Sequence, residues 1–290
     1  MKRFTLRLAF ALAAAWAILI TAWSAFYTEK LLRPACQLAE TLSVPGFEPV
    51  TLTTSEGLAL SGWWHPPQNG AVILLVGGLG ASRDTMLPEA RLLAEAGYGA
   101  LTLDSRACAG VSGTLGVDET NELDTMLGYA QRQPGLDWIG ALGFSVGGVT
   151  VLRAAAANPE LKAVIAQGNF ANLYDEITYT PAVFLSPQWQ AQRLVLLAYR
   201  LRTGLSPRAA SPIDDLPRIA PRPVLLVHGE LELARTRGQD QASACPSAEL
   251  WVVPNAGHGQ YRALEPEEYT RRMRSFFDSA RGHSNSVEVP

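Results

Sequence analysis

Two short segments carry residue types that together could break an acyl bond. Gly143-Phe144-Ser145-Val146-Gly147 sets a serine between glycines, and Asn255-Ala256-Gly257-His258-Gly259 sets an imidazole in a glycine-flanked loop. A serine hydroxyl is a weak nucleophile at neutral pH and needs a base, which in turn needs an acid to orient it. There are 4 histidines. His283 lies near the end of the chain, His65 in an early turn, and His228 at the end of an apolar run just before Gly229, where its ring is expected to pack inside. His258 is therefore the candidate base. Metal-dependent hydrolysis finds little support, since no histidines stand at ligand spacing, and the 3 cysteines form no metal pattern. One disulfide remains open to an odd count of three; a full disulfide framework does not.

These residues need elements to hold them. Ile139–Phe144 is a short apolar run leading into the serine, and the residues after Gly148 run without a helix breaker as far as Asn158-Pro159. This reads as strand, sharp turn and helix, the setting that the G-x-S-x-G pattern requires. Further buried strands are predicted at Ala71–Val76, Tyr98–Leu103, Leu161–Ala166, Pro223–His228 and Glu249–Val253, after an antiparallel pair at Glu48–Leu52 and Leu58–Trp64. Helices are predicted from Ser82 to Glu95, over Asp118–Gln133, over Gln190–Arg202 and over Pro266–Arg281. Alternating strands and helices imply a mostly parallel sheet covered on both faces, with ligands beyond the carboxyl ends of its strands. Gly77–Gly80, Asp104, Ser145, Glu232 and His258 all follow predicted strands and so converge on one edge.

The chain resembles the α/β-hydrolase superfamily, and within it bacterial esterases and peptidases of the dienelactone-hydrolase and serine-aminopeptidase type. The resemblance covers roughly 58–278 and rests on GFSVGG at 143–148, PVLLVHG at 223–229 and NAGHG at 255–259. It implies an α/β-hydrolase fold. The aromatics and prolines of 170–222 break the strand-helix rhythm, and this segment reads as a small cap inserted after the sixth strand, with a crossover helix and loops as the alternative. The resemblance implies Ser145 as nucleophile, His258 as base and Glu232 as acid, with Asp240 as the fallback. Glu232 stands where the family usually has Asp. An oxyanion hole would use the backbone N–H groups of Val146 and Leu79. The family's His-Gly before this loop is Gly77-Gly78 here, and its usual Asp-x-Arg-Gly-His-Gly is Asp104-Ser105-Arg106-Ala107-Cys108-Ala109. Arg106, Cys108 and Tyr174 are candidates for the pocket wall, with Cys108 read as a small buried residue rather than a reactive thiol.

Before the hydrolase-like region, Leu8–Tyr27 carries no charge and follows Lys2, Arg3 and Arg7. As a helix it rises about 30 Å, enough to cross a bilayer core. It reads as a signal anchor over 1–30, with a cleavable signal peptide as the alternative; either puts 31–281 outside the cytoplasm, ahead of a disordered tail at 282–290. Net charge is -3, with no basic stripe, which excludes a nucleic-acid partner. The expected activity is cofactor-free cleavage of a small-molecule carboxylic ester through an acyl-serine. A peptidase, a thioesterase or a degenerate binding protein stand as alternatives. Oligomeric state is not legible.

Overall fold

The computed structural model describes residues 2–37, 39 and 43–287, and the side chains of 4–37, 39 and 43–282. Eight strands form one sheet: β1 (Glu48–Thr53), β2 (Ala59–His65), β3 (Ala71–Val76), β4 (Gly99–Leu103), β5 (Trp138–Phe144), β6 (Leu161–Gln167), β7 (Val224–Gly229) and β8 (Ala248–Val253). Their spatial order is β1-β2-β4-β3-β5-β6-β7-β8. β1 and β2 pair antiparallel, β2 pairs antiparallel with β4, and every later pairing is parallel. The central strands read as unbroken Val, Leu, Ile and Ala because both faces are covered, and β3 and β4 are buried almost throughout.

Six helices matter for the site: α1 (Lys2–Leu32), α2 (Leu87–Ala94), α3 (Thr120–Gln131), α4 (Val146–Ala157), α5 (Leu173–Thr178) and α6 (Pro187–Thr203). Helices α3 and α4 cover one face of the sheet around Leu74, Leu101, Met126 and Leu152. Helix α2 and the closing helix Pro266–Val287 cover the other, around Ile73, Leu93, Trp138 and Phe277. The sheet thus has a separate core on each side.

Two helix boundaries differ most from the sequence reading. Helix α2 begins at Leu87 rather than at Ser82, because residues 82–85 close a turn (Thr85 N–H to Ser82 O, 3.0 Å) and the Arg83 amide is taken by the Asp104 carboxylate at 2.7 Å. The closing helix continues to Val287 through part of the segment expected to be a disordered tail, whose last residues 288–290 lie outside the description.

The segment 170–222 divides in two. Helices α5 and α6 stand over the carboxyl ends of the strands. The turns Pro212–Asp215 and Leu216–Arg218 return to α4, where Arg153 meets Asp215 at 3.1 Å, and serve as the crossover to β7. Helix α1 is long and apolar enough to cross a membrane or to act as a signal sequence. It is exposed from Phe4 to Leu19, and then Ser24, Thr28 and Leu32, each four residues apart, turn one face into the domain. That face meets α6 and a small cluster of Leu115, Val149, Phe170 and Tyr199.

Candidate active site

The turn between β5 and α4 bends the chain more tightly than most side chains allow. Ser145 sits at φ 56 and ψ −119, a sparsely populated backbone region held by the surrounding structure. Its amide donates to the Gln167 carbonyl at 2.7 Å, which fixes the turn to the neighbouring strand. The flanking glycines have no room to be anything else. A Cβ on Gly143 would lie 2.1 Å from the Gly147 carbonyl oxygen, and one on Gly147 would lie 2.2 Å from that of Val76. Val146 is the first residue of α4, so its N–H has no acceptor inside the helix and faces the site with the positive end of the helix dipole.

His258 arrives from the loop after β8. Its Nε2 lies 3.1 Å from Ser145 Oγ, and its Nδ1 lies 2.7 Å from Glu232 Oε2. The imidazole leans on the Phe144 ring, with centroids 4.9 Å apart. Glu232 comes from the loop after β7 and is 7% exposed. Its other oxygen accepts from the Gly229 amide at 3.1 Å and from the Tyr261 hydroxyl. Burial pushes the Glu232 carboxyl up, but the hydrogen bonds from His258, Tyr261 and Gly229 outweigh it and leave the pKa below the ordinary glutamate value. Glu232 is therefore an anion at neutral pH, hydrogen-bonded to the His258 imidazole. Burial and the adjacent Glu232 charge raise the Tyr261 pKa, so the phenol stays a donor.

The serine and histidine open into a cleft of about 990 Å3. Leu79 and Val146 lie on its wall beside Ser145, and the apolar lining continues through Phe170, Leu173, Ile177 and Val195.

The sheet order, the strained serine at the β5–α4 turn and the chain order Ser145, Glu232, His258 can now be set beside known proteins. A family model described as alpha/beta hydrolase fold matches residues 71–211. An esterase of Pyrococcus furiosus superimposes with a TM-score of 0.65 at 21% identity, over 86% of this chain and 98% of its own. This chain has the α/β-hydrolase fold. Est1E of Butyrivibrio proteoclasticus also superimposes on this hydrolase fold, with a TM-score of 0.60 at 18% identity, over 81% of this chain and 99% of that one. In sequence, an uncharacterized 31.7 kDa protein in the traX-finO intergenic region of Escherichia coli is 30% identical over 128 residues, 41% of this chain. That match spans 44% of the relative's length.

Not every candidate is part of the hydrolase-fold cleft. Asp240 pairs with Arg237 at 2.8 Å on the surface and is not the histidine's partner. Arg106 is 4% exposed and holds Glu122 at 2.7 Å and Glu56 at 3.1 Å. It borders a separate cavity of about 50 Å3 rather than the cleft, and its work is to tie α3 to the loop after β4. Tyr174 also stands off the cleft, its ring under the Arg208 guanidinium at 4.2 Å and its hydroxyl accepting from Arg193 at 2.6 Å. Cys108 is neither a thiol nor an apolar filler, because it forms a disulfide with Cys36. Asp104 serves the scaffold by holding Arg83. His228 is buried, and neither ring nitrogen has a hydrogen-bond partner.

Three features escaped the sequence reading. Tyr261 follows His258 by three residues, and that spacing was the only available clue. Gly168, at φ +60, leaves space for the base: a Cβ there would come within 2.9 Å of His258 Cε1 and 2.4 Å of the Tyr261 hydroxyl. The third is the end of α1, which supplies Trp23, Tyr27 and Leu31 to the cleft wall.

Proposed function

We propose that the chain is a membrane-anchored serine hydrolase that cleaves carboxylic esters, with its catalytic domain on the extracytoplasmic side. The observation that carries this is the continuous hydrogen-bonded line from Ser145 Oγ through His258 to Glu232. His258 Nε2 takes the Ser145 proton as Oγ attacks the acyl carbon. The carbonyl oxygen becomes an oxyanion held by the Val146 and Leu79 N–H groups. His258 then returns the proton to the departing alkoxide, leaving an acyl-serine. Water deprotonated by the same nitrogen releases the acid. Glu232 holds the imidazole in the required tautomer and stabilises its charged form. No cofactor enters these steps.

Substitution of Glu for Asp in the acid position is accommodated by the loop after β7, which delivers Oε2 to Nδ1 at ordinary hydrogen-bond length. The apolar cleft favours an acyl chain over a peptide terminus, which supports esterase over peptidase. Two features support an uncleaved anchor. Ser24, Thr28 and Leu32 are buried in the domain, and Glu29 pairs with Arg202 of α6. Placement outside the cytoplasm accords with the basic residues ahead of the apolar segment and with the Cys36–Cys108 disulfide, which persists in oxidising compartments.

The test is hydrolysis of p-nitrophenyl esters by the full chain in detergent, together with labelling by a fluorophosphonate. Wild type should turn over and label. Ser145→Ala should lose labelling and at least about 10³-fold in rate, the range expected when a nucleophile is removed. Folded wild type that neither labels nor exceeds Ser145→Ala on any ester would leave the degenerate-fold reading in its place.

A further inference from the structure

Helix α1 has two unlike halves, and the boundary between them coincides with the mouth of the cleft. From Phe4 to Leu19 it is exposed and almost wholly apolar, while its end is packed into the domain. It runs parallel to α6: Trp16 Nε1 donates to Gln190 at 3.1 Å near the start of α6, and Glu29 pairs with Arg202 near its end. The exposed half rises about 24 Å at 1.5 Å per residue, a few ångströms short of a hydrocarbon core. The leaflet must therefore reach past the level of Trp16, where the first turn of α6 stands, to some residues beyond Leu19.

What lies at that level is apolar and exposed. Val183, Phe184 and Leu185, the loop just before α6, are 80%, 71% and 60% exposed. Gln190, the partner of Trp16, also donates to the Leu185 carbonyl, which ties this loop to the same height. Trp23 and Tyr27 stack on each other with centroids 5.3 Å apart, one turn further on, as aromatic residues do at a membrane interface. Those two rings form one wall of the cleft that holds Ser145, and Tyr179, Ala191 and Val195 of the cap form the facing wall.

Taking the anchored serine hydrolase reading as its basis, we propose that the mouth of the cleft beside α1, between Trp23 and Tyr27 and the cap residues Tyr179 and Ala191, is a lateral portal, through which an uncharged acyl ester dissolved in the outer leaflet reaches Ser145. The 183–185 loop dips into the leaflet and holds the portal against it. The acyl chain lies along Phe170, Ile177 and Val195. The charges on the lining argue for an uncharged headgroup: Arg235 is the one arginine or lysine among the described lining residues, and it is already paired with Glu176. A phosphate would find no free cation there.

The test uses the full chain in phosphatidylcholine vesicles doped with dioleoylglycerol, with p-nitrophenyl acetate as a water-soluble control. Phe184 is off the cleft wall, so Phe184→Asp should leave acetate hydrolysis unchanged and lower dioleoylglycerol hydrolysis at least tenfold. An environment-sensitive fluorophore on Phe184→Cys, in a Cys245→Ala background, should be quenched by doxyl-labelled lipid. Equal dioleoylglycerol hydrolysis by Phe184→Asp, a fluorophore that lipid does not quench, or cleavage of the phosphatidylcholine itself at a comparable rate would each overturn the proposal. Wild type that fails to hydrolyse acetate and fails to take a fluorophosphonate refutes the underlying hydrolase reading instead, which keeps the two failures apart.

Discussion

Glu232 is the residue on which the site's electrostatics turn. It is buried, yet three donors hold it as an anion, so removing its charge should damage catalysis more than folding. Glu232→Gln should lower kcat by about 10³- to 10⁴-fold in ester hydrolysis, because an amide in that place no longer imposes the right imidazole tautomer. Tyr261→Phe removes one donor and should cost about 1 kcal/mol, roughly fivefold in kcat/KM. Gly168→Ala would push a methyl against the His258 ring, and a displacement of about 1 Å there should cost on the order of 10²-fold in rate while the chain stays folded. His228 makes a different prediction, one about stability. Burial pushes its pKa down from 6.5 to about 4, so the unfolded chain takes up a proton that the folded chain refuses. The stability from neutral His228 is complete above pH 6.5 and is lost as the pH falls toward 4, by about 3 kcal/mol at 1.36 kcal/mol per pKa unit. Thermal melts should show this decline between pH 6.5 and 5, and His228→Leu should flatten it.

At the scale of elements, the residues after Leu32 bear on the site as directly as Ser145, His258 and Glu232 do. Gln37 donates its amide to the Gly80 carbonyl at 2.7 Å and its side chain to the Leu79 carbonyl at 3.3 Å. A Cβ on Gly80 would strike the Ala35 carbonyl oxygen at 2.3 Å. The strap after α1 therefore presses on the Leu79 loop, the proposed second oxyanion donor, and the disulfide to Cys108 keeps it there. With the two cysteines 72 positions apart in sequence, the chain-entropy model gives about 4 kcal/mol for this link. Cys36→Ser should lower the melting temperature, and reductant should then have no further effect on it. Much of this architecture was readable beforehand. The strands announced themselves as apolar runs, and the serine turn by its glycines, because burial on both faces and backbone crowding act locally. The disulfide was not, since nothing in the spacing of Cys36, Cys108 and Cys245 says which two meet. Arg106 and Tyr174 were misplaced for a related reason: lying near the strand ends in sequence does not say which side of a loop a side chain takes. The inward face of α1 was hidden because Ser24 and Thr28 look like ordinary interruptions of an apolar helix.

Across the whole molecule, α1 and the hydrolase-fold domain form one packed body rather than a domain on a leash. Deleting residues 1–30 should strip Trp23 and Tyr27 from the cleft and uncover the α6 face around Val195 and Tyr199. The truncated protein should keep its serine, histidine and glutamate in place. It should nevertheless show a KM for long-chain p-nitrophenyl esters raised severalfold over that of the full chain, with acetate hydrolysis little changed. A truncated protein with the same chain-length profile as the full chain would mean that α1 is no part of the acyl site.

The bond between Cys36 and Cys108 also bears on shedding. Cys36 lies just after α1, and Cys108 lies beyond β4, well inside the domain. A protease that cuts once anywhere between them divides the polypeptide without separating its pieces. The piece carrying α1 would remain bonded to the rest through sulfur, and reduction would leave packing and strand pairing alone to hold the two together. A single nick in this protein would thus be silent in the supernatant and visible only on a reducing gel.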